Sequence, residues 1–352
     1  MAGNNGKKHI ISALMRRHSD RVPVTVLIGP YCSRLTNYSI KEILRDAQKS
    51  TEAHLAFYER FSPDSVIVYN DIYLEAEALG CELDFPEDDI SHPKTVLLEN
   101  KSRLARLKIP DPNKDGRLPY FIEVCQRVSA QVRKTAALGL GHSGPWNIAM
   151  HLRGTEALLL DTYSDPVFVH DLMKFSTEVV RSVGDALIEA GFSPSIGEAG
   201  ASCSLISPQI YREFIKPYHT ELCSYFRSKG AYLALHICGE IDLIMKDVVE
   251  TGINFLSLDA PSSLKRFVQI GNGKVAGMGN IPTTLFSSGT PLEMEKAIVD
   301  CIETAAAQSG YILASGCEIP LNSTEDRISH FFNYSRHYGR QFVSDLKSRR
   351  PE

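Results

Sequence analysis

The sequence predicts a parallel (β/α)8 barrel, the TIM-barrel fold, with a short helical extension over residues 1–20. Three observations favour this fold. The chain has 352 residues, an ordinary length for such a barrel with an extension. Short apolar strand patterns alternate with helical patterns, which is typical of parallel strands joined by crossover helices. No G-x-G-x-x-G follows the first strand pattern, which disfavours the alternative, an open doubly wound sheet.

Eight short apolar segments are interpreted as the barrel strands. We expect them at residues 22–28, 65–69, 147–152, 195–197, 232–237, 253–258, 275–278 and 311–314. The first reads VPVTVLI and the fifth reads YLALHI. Eight strands in one run of alternation predict a closed barrel, with residues 1–352 forming a single domain.

Capping residues mark several of the helices that connect these strands. Ser39 precedes a helical pattern over residues 40–61, and Asp165 followed by Pro166 begins a helix that extends to about Ala190. Further helices are expected over residues 119–138, 208–229, 241–250 and 291–308. The polar residues 84–120 contain five prolines, and we interpret them as an insertion near the barrel mouth.

Composition and charge exclude several classes of protein. Hydrophobic residues make up 43% of the chain and charged residues 23%, which is a normal globular balance. The net charge of -4 gives no basic surface for nucleic acid. No stretch of 18 apolar residues predicts a membrane span, and no signal-peptide pattern is seen at the start. Eight scattered cysteines favour a reducing, cytoplasmic compartment, where cysteine clusters suggest metal binding or catalysis.

The strongest chemical signal is His236-Ile237-Cys238-Gly239, at the end of the fifth strand pattern. Residues two apart in a strand point to the same side, so His236 and Cys238 face one small volume. Imidazole and thiolate together are typical zinc ligands. An isolated H-x-C more often belongs to a structural core, so the interpretation depends on a third ligand.

Cys317 provides that third ligand at the end of the last strand pattern, in Ala314-Ser315-Gly316-Cys317. The carboxyl ends of all eight strands meet at one face of a barrel, where active sites form. We therefore expect Cys317 to meet His236 and Cys238 there. Three protein ligands leave one coordination position open, which is the pattern of a catalytic zinc rather than a structural one.

Other polar residues follow the predicted strands and are weaker candidates for the site. We expect Asp259 and Glu198 to act as catalytic residues, either as a fourth zinc ligand that substrate displaces or by orienting substrate. The remaining candidates, all for substrate binding, are Asn70, Asp71, Gly279, Asn280 and Cys32. Any of these strand-end residues alone is equally compatible with a solvated loop.

These motifs resemble the uroporphyrinogen decarboxylase superfamily, and within it the corrinoid-dependent methyltransferases, including the methylcobalamin:coenzyme M methyltransferases. The resemblance covers about residues 21–340. It is carried by Pro63-Asp64-Ser65-Val66-Ile67-Val68, Glu75-Ala76-Glu77-Ala78-Leu79-Gly80, Leu205-Ile206-Ser207-Pro208, the H-x-C segment, Gly279-Asn280-Ile281 and Gly316-Cys317-Glu318-Ile319-Pro320.

The resemblance implies a zinc-dependent methyl transfer between a corrinoid and a thiol such as coenzyme M or homocysteine. His236, Cys238 and Cys317 match the zinc ligands of that branch, and Asp259 matches its acidic residue after the next strand. Methylcobalamin or a corrinoid protein is the expected co-substrate, with residues 84–120 as a docking or lid element. Dimers occur in the wider superfamily, so a homodimer is also possible by analogy.

Three alternatives remain at this point. The enzyme could run in the opposite direction and demethylate a methylated donor onto a Co(I) corrinoid protein. A uroporphyrinogen decarboxylase fits poorly, because the arginine-rich segment of that branch is reduced to Arg34 within residues 27–34. A non-catalytic zinc-stabilised binding protein would be expected to close its metal site with a fourth ligand.

Overall fold

Parallel strands form the centre of the structure, a computed structural model that describes residues 5–271 and 273–349. Six strands form one parallel sheet in the order β5-β6-β7-β8-β9-β10, and β1 pairs in parallel with β4. A short antiparallel pair, β2 and β3, lies outside these sheets. The strands are β1 (Ser65–Val68), β2 (Leu83–Asp84), β3 (His92–Pro93), β4 (Ala137–Leu140), β5 (His142–Ser143), β6 (Ser195–Gly197), β7 (Ala234–Ile237), β8 (Phe255–Leu258), β9 (Ala276–Ile281) and β10 (Tyr311–Ser315).

Residues 22–28 close the barrel between β10 and β1. Val24 bridges Leu313 in parallel and its carbonyl oxygen accepts a hydrogen bond from the Asp64 amide. Gly141 separates β4 from β5. These two short strands follow each other directly and together form one strand of the barrel. The predicted (β/α)8 barrel is therefore confirmed, with eight strand positions. The predicted first strand is irregular, in part because Pro23 has no N–H to donate.

Helices surround this barrel and mostly follow the predicted alternation. They are α1 (Gly6–Leu14), α2 (Ile40–Ile43), α3 (Ala47–Phe61), α4 (Leu74–Ala78), α5 (Leu118–Val132), α6 (Pro145–Arg153), α7 (Thr155–Ser164), α8 (Pro166–Glu189), α9 (Pro208–Ile210), α10 (Lys216–Ser228), α11 (Met245–Glu250), α12 (Leu264–Gly271), α13 (Thr284–Ser287), α14 (Pro291–Ala305) and α15 (Glu325–Ser348). Ser39 caps α2 as predicted, but Asp46 begins a new helix, so the pattern over residues 40–61 is two helices. A π-helical turn, Tyr211–Ile215, joins α9 to α10.

The prediction of a third strand at residues 147–152 was wrong. Residues 147–152 belong to α6, which begins with Pro145 in its first turn. The true strand position is occupied by β4 and β5, and β4 begins within the segment predicted to be helical to residue 138. The carboxylate of Glu198 accepts hydrogen bonds from the amides of Trp146 and Asn147, so a distant residue stabilises the start of α6.

The helical extension closes the amino-terminal end of the barrel. Ile10 and Ala13 of α1 pack against an apolar cluster with Met278 and Ile312. A buried ion pair between Arg21 and Asp64, 2.5 Å apart, lies beside it. Residues 1–4 of the predicted extension lie outside the described residues. With this end filled, the carboxyl ends of the strands provide the open end of the barrel.

The predicted insertion connects α4 to α5 on the side of the carboxyl ends of the strands. It contains β2, β3 and a 3-10 helix, Lys101–Arg106. It is held to α6 and α7, since the Leu98 amide donates to the Leu152 carbonyl oxygen and Lys101 pairs with Asp161 at 2.6 Å.

Of the helices within residues 5–271 and 273–349, none is both long and apolar enough to span a membrane.

Candidate metal centre

Three side chains from two separate segments of the chain meet at the carboxyl ends of β7 and β10. His236 lies in β7, Cys238 follows it by two residues, and Cys317 lies two residues beyond β10. Their ligand atoms all lie within 4.8 Å of one another. The Cys238 sulfur is 3.3 Å from Nε2 of His236 and 3.7 Å from the Cys317 sulfur. The structure thus brings together the three residues that the sequence singled out.

The spacing of these donors suits a tetrahedral zinc ion. Zn–S bonds of about 2.3 Å and Zn–N bonds of about 2.0–2.1 Å place two sulfurs about 3.8 Å apart and a sulfur and a nitrogen about 3.6 Å apart. The observed separations of 3.7 and 3.3 Å are close to these values. The donor set is also one that zinc prefers. Among the described residues, no further His, Cys, Asp or Glu joins the group, so a fourth position stays open.

The electrostatics of the triad also favour a bound cation. Contact with Cys238 and burial both raise the pKa of the Cys317 thiol well above its usual range. Burial lowers the pKa of His236, but Cys317 and the carboxylates of Asp259 and Glu318 outweigh it and raise the pKa overall. The Cys317 thiol therefore favours its protonated form in the absence of a cation. A divalent cation would replace that proton and stabilise the thiolate.

Ser257 fixes the orientation of the imidazole. His236 and Ser257 are partners in the parallel register of β7 and β8, so their side chains share one face. Nδ1 of His236 lies 3.0 Å from the Ser257 hydroxyl oxygen, which leaves Nε2 directed at the thiols. Hydrogen bonds of this kind set the tautomer and ring position of histidine ligands.

Replacing Ser257 with alanine is expected to weaken zinc binding about tenfold, because the imidazole loses the group that orients it. A competition titration against a chromophoric zinc chelator measures this. Ser204→Ala, at an exposed serine whose hydroxyl has no described hydrogen-bond partner, is the control. Equal zinc affinities for the wild type and Ser257→Ala would show that the hydrogen bond does not tune the site.

Asp259 stabilises the backbone beside the triad. One carboxylate oxygen accepts from the Gly239 amide at 2.7 Å and the other from the Ala260 amide at 2.7 Å. Gly239 has a φ of +72°, which favours glycine, so this contact holds a tight turn directly after Cys238. Since both oxygens are in use, the contacts of Asp259 favour a positioning role over a fourth metal ligand.

Glu198 is fully buried, and its carboxylate contacts groups outside the triad. One oxygen accepts from the Trp146 amide at 3.0 Å and lies 3.1 Å from Nε2 of His219, and the other accepts from the Asn147 amide at 2.8 Å. Nδ1 of the same imidazole lies 3.2 Å from the Tyr211 hydroxyl. These contacts favour a structural role, because no carboxylate oxygen is exposed. A catalytic role for Glu198 stays a prediction.

The remaining candidates also make mainly structural contacts. Asn70 donates to the Gly141 carbonyl oxygen at 2.6 Å, and Asp71 pairs with Arg117 at 2.6 Å. Their side chains are nearly buried. Both residues therefore connect loops at the barrel mouth, and the structure gives no direct support for substrate contact.

The pair Gly279–Asn280 and the thiol of Cys32 are likewise enclosed. The side-chain Nδ2 of Asn280 donates to the carbonyl oxygens of Asp259 and Ser262, and the Gly279 carbonyl oxygen accepts from the Tyr311 hydroxyl. Cys32 is completely buried, and burial raises the pKa of its thiol to about 12. The predicted contact of Cys32 with substrate therefore has no direct support in the structure and stays a prediction.

Comparison with known proteins identifies the family. The model of the uroporphyrinogen decarboxylase (URO-D) family matches residues 5–338. The chain belongs to this family. Its fold matches a solved structure described as a methyltransferase from Methanosarcina mazei, with a TM-score of 0.86 and 20% identity, over 95% of this chain and 99% of the other.

The characterised relatives that resemble the chain have names of two kinds, methyltransferases and decarboxylases. A methylcobamide:CoM methyltransferase of Methanosarcina barkeri is 25% identical, over 91% of this chain and 94% of its own. A uroporphyrinogen decarboxylase of Prochlorococcus marinus is also 25% identical, over 92% and 94%. The relatives are thus enzymes of both kinds, and overall identity does not separate them. The chemistry of the site must do so.

Two features of this URO-D family site were not singled out from the sequence. Gly197 pairs with His236 in the register of β6 and β7, and a Cβ added there would meet only the His142 carbonyl oxygen, at 3.9 Å. Open space therefore lies over Gly197, next to His236 of the triad. The second feature is Glu318, which directly follows Cys317; its place in the conspicuous segment GCEIP was the signal that could have revealed it.

Proposed function

We propose that this protein is a zinc-dependent methyltransferase that moves a methyl group between a corrinoid and a thiol. The observation that carries the proposal is the convergence of one imidazole and two thiols within 4.8 Å. Such a set has no evident use in a decarboxylation without a metal. It suits a catalytic zinc with three protein ligands and one open position.

His236, Cys238 and Cys317 would hold the zinc. When bound, zinc supplies Lewis acidity that lowers the pKa of a thiol and keeps it as a thiolate near neutral pH. Ser257 and Asp259 keep the three ligands in place, by the contacts to Nδ1 and to the Gly239 amide. The space over Gly197, next to His236, leaves room for a small substrate.

The corrinoid is supported by the relatives that are named methylcobamide:CoM methyltransferases. A corrinoid ring is wider than the interior of an eight-stranded barrel, which side chains fill. We therefore infer that a corrinoid protein presents it at the barrel mouth, beside residues 84–120. The protein then contributes mainly by holding the sulfur and the methyl carbon in line, which removes the entropic cost of their encounter.

Metal analysis together with a methyl-transfer assay tests this function. We expect one zinc per chain and loss of the methyl–cobalt absorbance when methylcobalamin is mixed with an accepting thiol. Coenzyme M, homocysteine and simple thiols form the acceptor panel. A methyl thioether with Co(I) corrinoid tests the opposite direction. Uroporphyrinogen should be left unchanged.

Chelation separates catalysis from a structural metal. Removing the metal should abolish methyl transfer while circular dichroism stays unchanged, because the barrel core does not depend on the triad. Unfolding on chelation would instead favour a zinc-stabilised binding protein. Decarboxylation of uroporphyrinogen, or the absence of methyl transfer in both directions with zinc bound, would refute the proposal.

A further inference from the structure

Aliphatic side chains lie on the solvent side of α1, at the amino-terminal end of the barrel. Ile10 and Ala13 of this helix face the interior and are buried. Ile11, Leu14 and Met15 face outward and are 42%, 43% and 52% exposed. Single exposed aliphatic residues are common on protein surfaces, but three within two turns of an already packed helix form a patch.

Basic side chains from four parts of the chain flank this aliphatic patch. Two lie in α1 and two closely follow it, two lie at the end of α5, one precedes β9 and one lies near the end of α15. Seven of them are exposed and one, Lys7, is half-buried. Together they are called the basic face: Lys7, Lys8, Arg16, Arg17, Arg133, Lys134, Lys274 and Lys347.

Hydrogen bonds hold the separate parts of the basic face against α1. Nζ of Lys7 donates to the carbonyl oxygen of Arg133 at 2.9 Å, so the end of α5 lies at the start of α1. A guanidinium nitrogen of Arg16 donates to the carbonyl oxygen of Lys274 at 3.1 Å, so the loop before β9 lies at the other end of the helix. Basic groups therefore lie on both sides of the aliphatic patch.

Little negative charge balances the basic face. Among the described residues, Asp20 is the acidic side chain that pairs with it, with one oxygen 3.7 Å from Nζ of Lys8 and the other 3.9 Å from Nζ of Lys347. These ion pairs are long and exposed, so they cancel little of the positive field. Since the whole chain has a net charge of -4, the excess of positive charge is a local property of this end of the barrel.

We infer that the basic face docks on an anionic lipid bilayer. Aliphatic residues flanked by lysine and arginine are the composition of helices that lie in the membrane interface. The basic groups would meet lipid phosphates, and the aliphatic groups would enter the headgroup region. A nucleic acid would complement the charges but would leave the aliphatic patch in water.

Docking at this end of the barrel leaves its mouth free. α1 closes the amino-terminal ends of the strands, while the triad lies at the carboxyl ends of β7 and β10. The bilayer and any partner at the mouth would therefore contact opposite ends of the protein. Membrane docking is thus independent of the proposed methyl transfer, and either can fail without the other.

Sedimentation of the full-length protein with lipid vesicles tests the docking. The vesicles contain phosphatidylcholine alone or with about 30 mol% phosphatidylglycerol, in about 50 mM or about 500 mM KCl. We expect binding to the anionic vesicles at the lower salt and binding at least about tenfold weaker at the higher salt. Little binding to phosphatidylcholine alone is expected, because it presents no net charge.

Neutralising three residues of the basic face should weaken this binding about a hundredfold at the lower salt. Arg17→Gln, Lys134→Gln and Lys274→Gln are combined in one variant, because these side chains are exposed and have no described partner. Each basic residue near an anionic surface contributes about a fivefold gain in affinity. The variant should keep its fold, which circular dichroism verifies.

A matched control and an aliphatic variant complete the test. Arg106→Gln, Lys265→Gln and Lys296→Gln remove the same charge from exposed positions outside the basic face, so this triple variant should bind like the wild type. Ile11→Gln with Met15→Gln keeps the charge and should weaken binding about tenfold, because less aliphatic surface enters the bilayer.

Failure to bind anionic vesicles, or equal losses in the basic-face variant and its control, would overturn the inference. Wild-type binding by the aliphatic variant would show attraction by charge alone and would overturn it too. A DNA duplex or an acidic polypeptide that binds more tightly than vesicles of equal anionic charge would assign the basic face to a soluble partner, with the same consequence.

Discussion

Replacing Cys317 with alanine is expected to remove the bound zinc and to lower methyl transfer at least about a thousandfold, since a metal Lewis acid contributes several kcal/mol to such reactions. Cys317 is one of three ligands and lies 3.7 Å from Cys238. Two remaining ligands hold zinc too weakly to keep it during purification. The measurements are zinc per chain by elemental analysis and the rate of methyl transfer from methylcobalamin.

Cys203→Ala is the matched control for this variant. Cys203 is also a half-buried free cysteine near the carboxyl ends of the strands, but it is not part of the triad. It should keep one zinc and the wild-type rate. Cys317→Ala should keep its fold, because the side chain lies beyond the end of β10, outside the apolar core. Full activity in Cys317→Ala, or equal loss in both variants, would contradict the role of the triad.

The triad was predictable from the sequence because simple geometry determines it. Residues two apart in β7 must share a face, which places His236 beside Cys238. Parallel barrel strands bring their carboxyl ends together, which places Cys317 near both despite a separation of 79 residues from Cys238. The contacts that complete the site were less accessible. The pairing of Ser257 with His236 depends on the register of β7 and β8, which local patterns do not determine.

The error in the third strand has a comparable cause. The segment Ala136-Ala137-Leu138-Gly139-Leu140 contains alanine and leucine, which favour helix locally, yet β4 forms there because it pairs with β1. The apolar segment after Pro145 was taken as a strand, although it forms α6. Its first amides are satisfied by Glu198, about fifty residues later in the chain. Tertiary contacts of this kind are invisible to a local pattern.

The same contacts predict that Glu198 is more important for stability than for chemistry. Glu198→Ala would leave the amides of Trp146 and Asn147 and the imidazole of His219 buried without their acceptor. Removing one partner from a buried, charged network costs about 3 kcal/mol or more. We therefore expect the free energy of unfolding to fall by about that amount, measured by urea denaturation of the zinc-loaded protein.

Comparison with milder variants tests the physical reason for this loss. Glu198→Gln keeps one carbonyl oxygen as an acceptor but turns an NH2 group toward a backbone donor, so it should lose less stability than Glu198→Ala. Glu189→Ala, at an exposed position, should change the free energy of unfolding by no more than about 0.5 kcal/mol. Zinc content should stay at one per chain in all three variants, because Glu198 lies outside the triad. A Glu198→Ala protein that is as stable as the wild type but cannot transfer methyl groups would support the catalytic role that the sequence suggested.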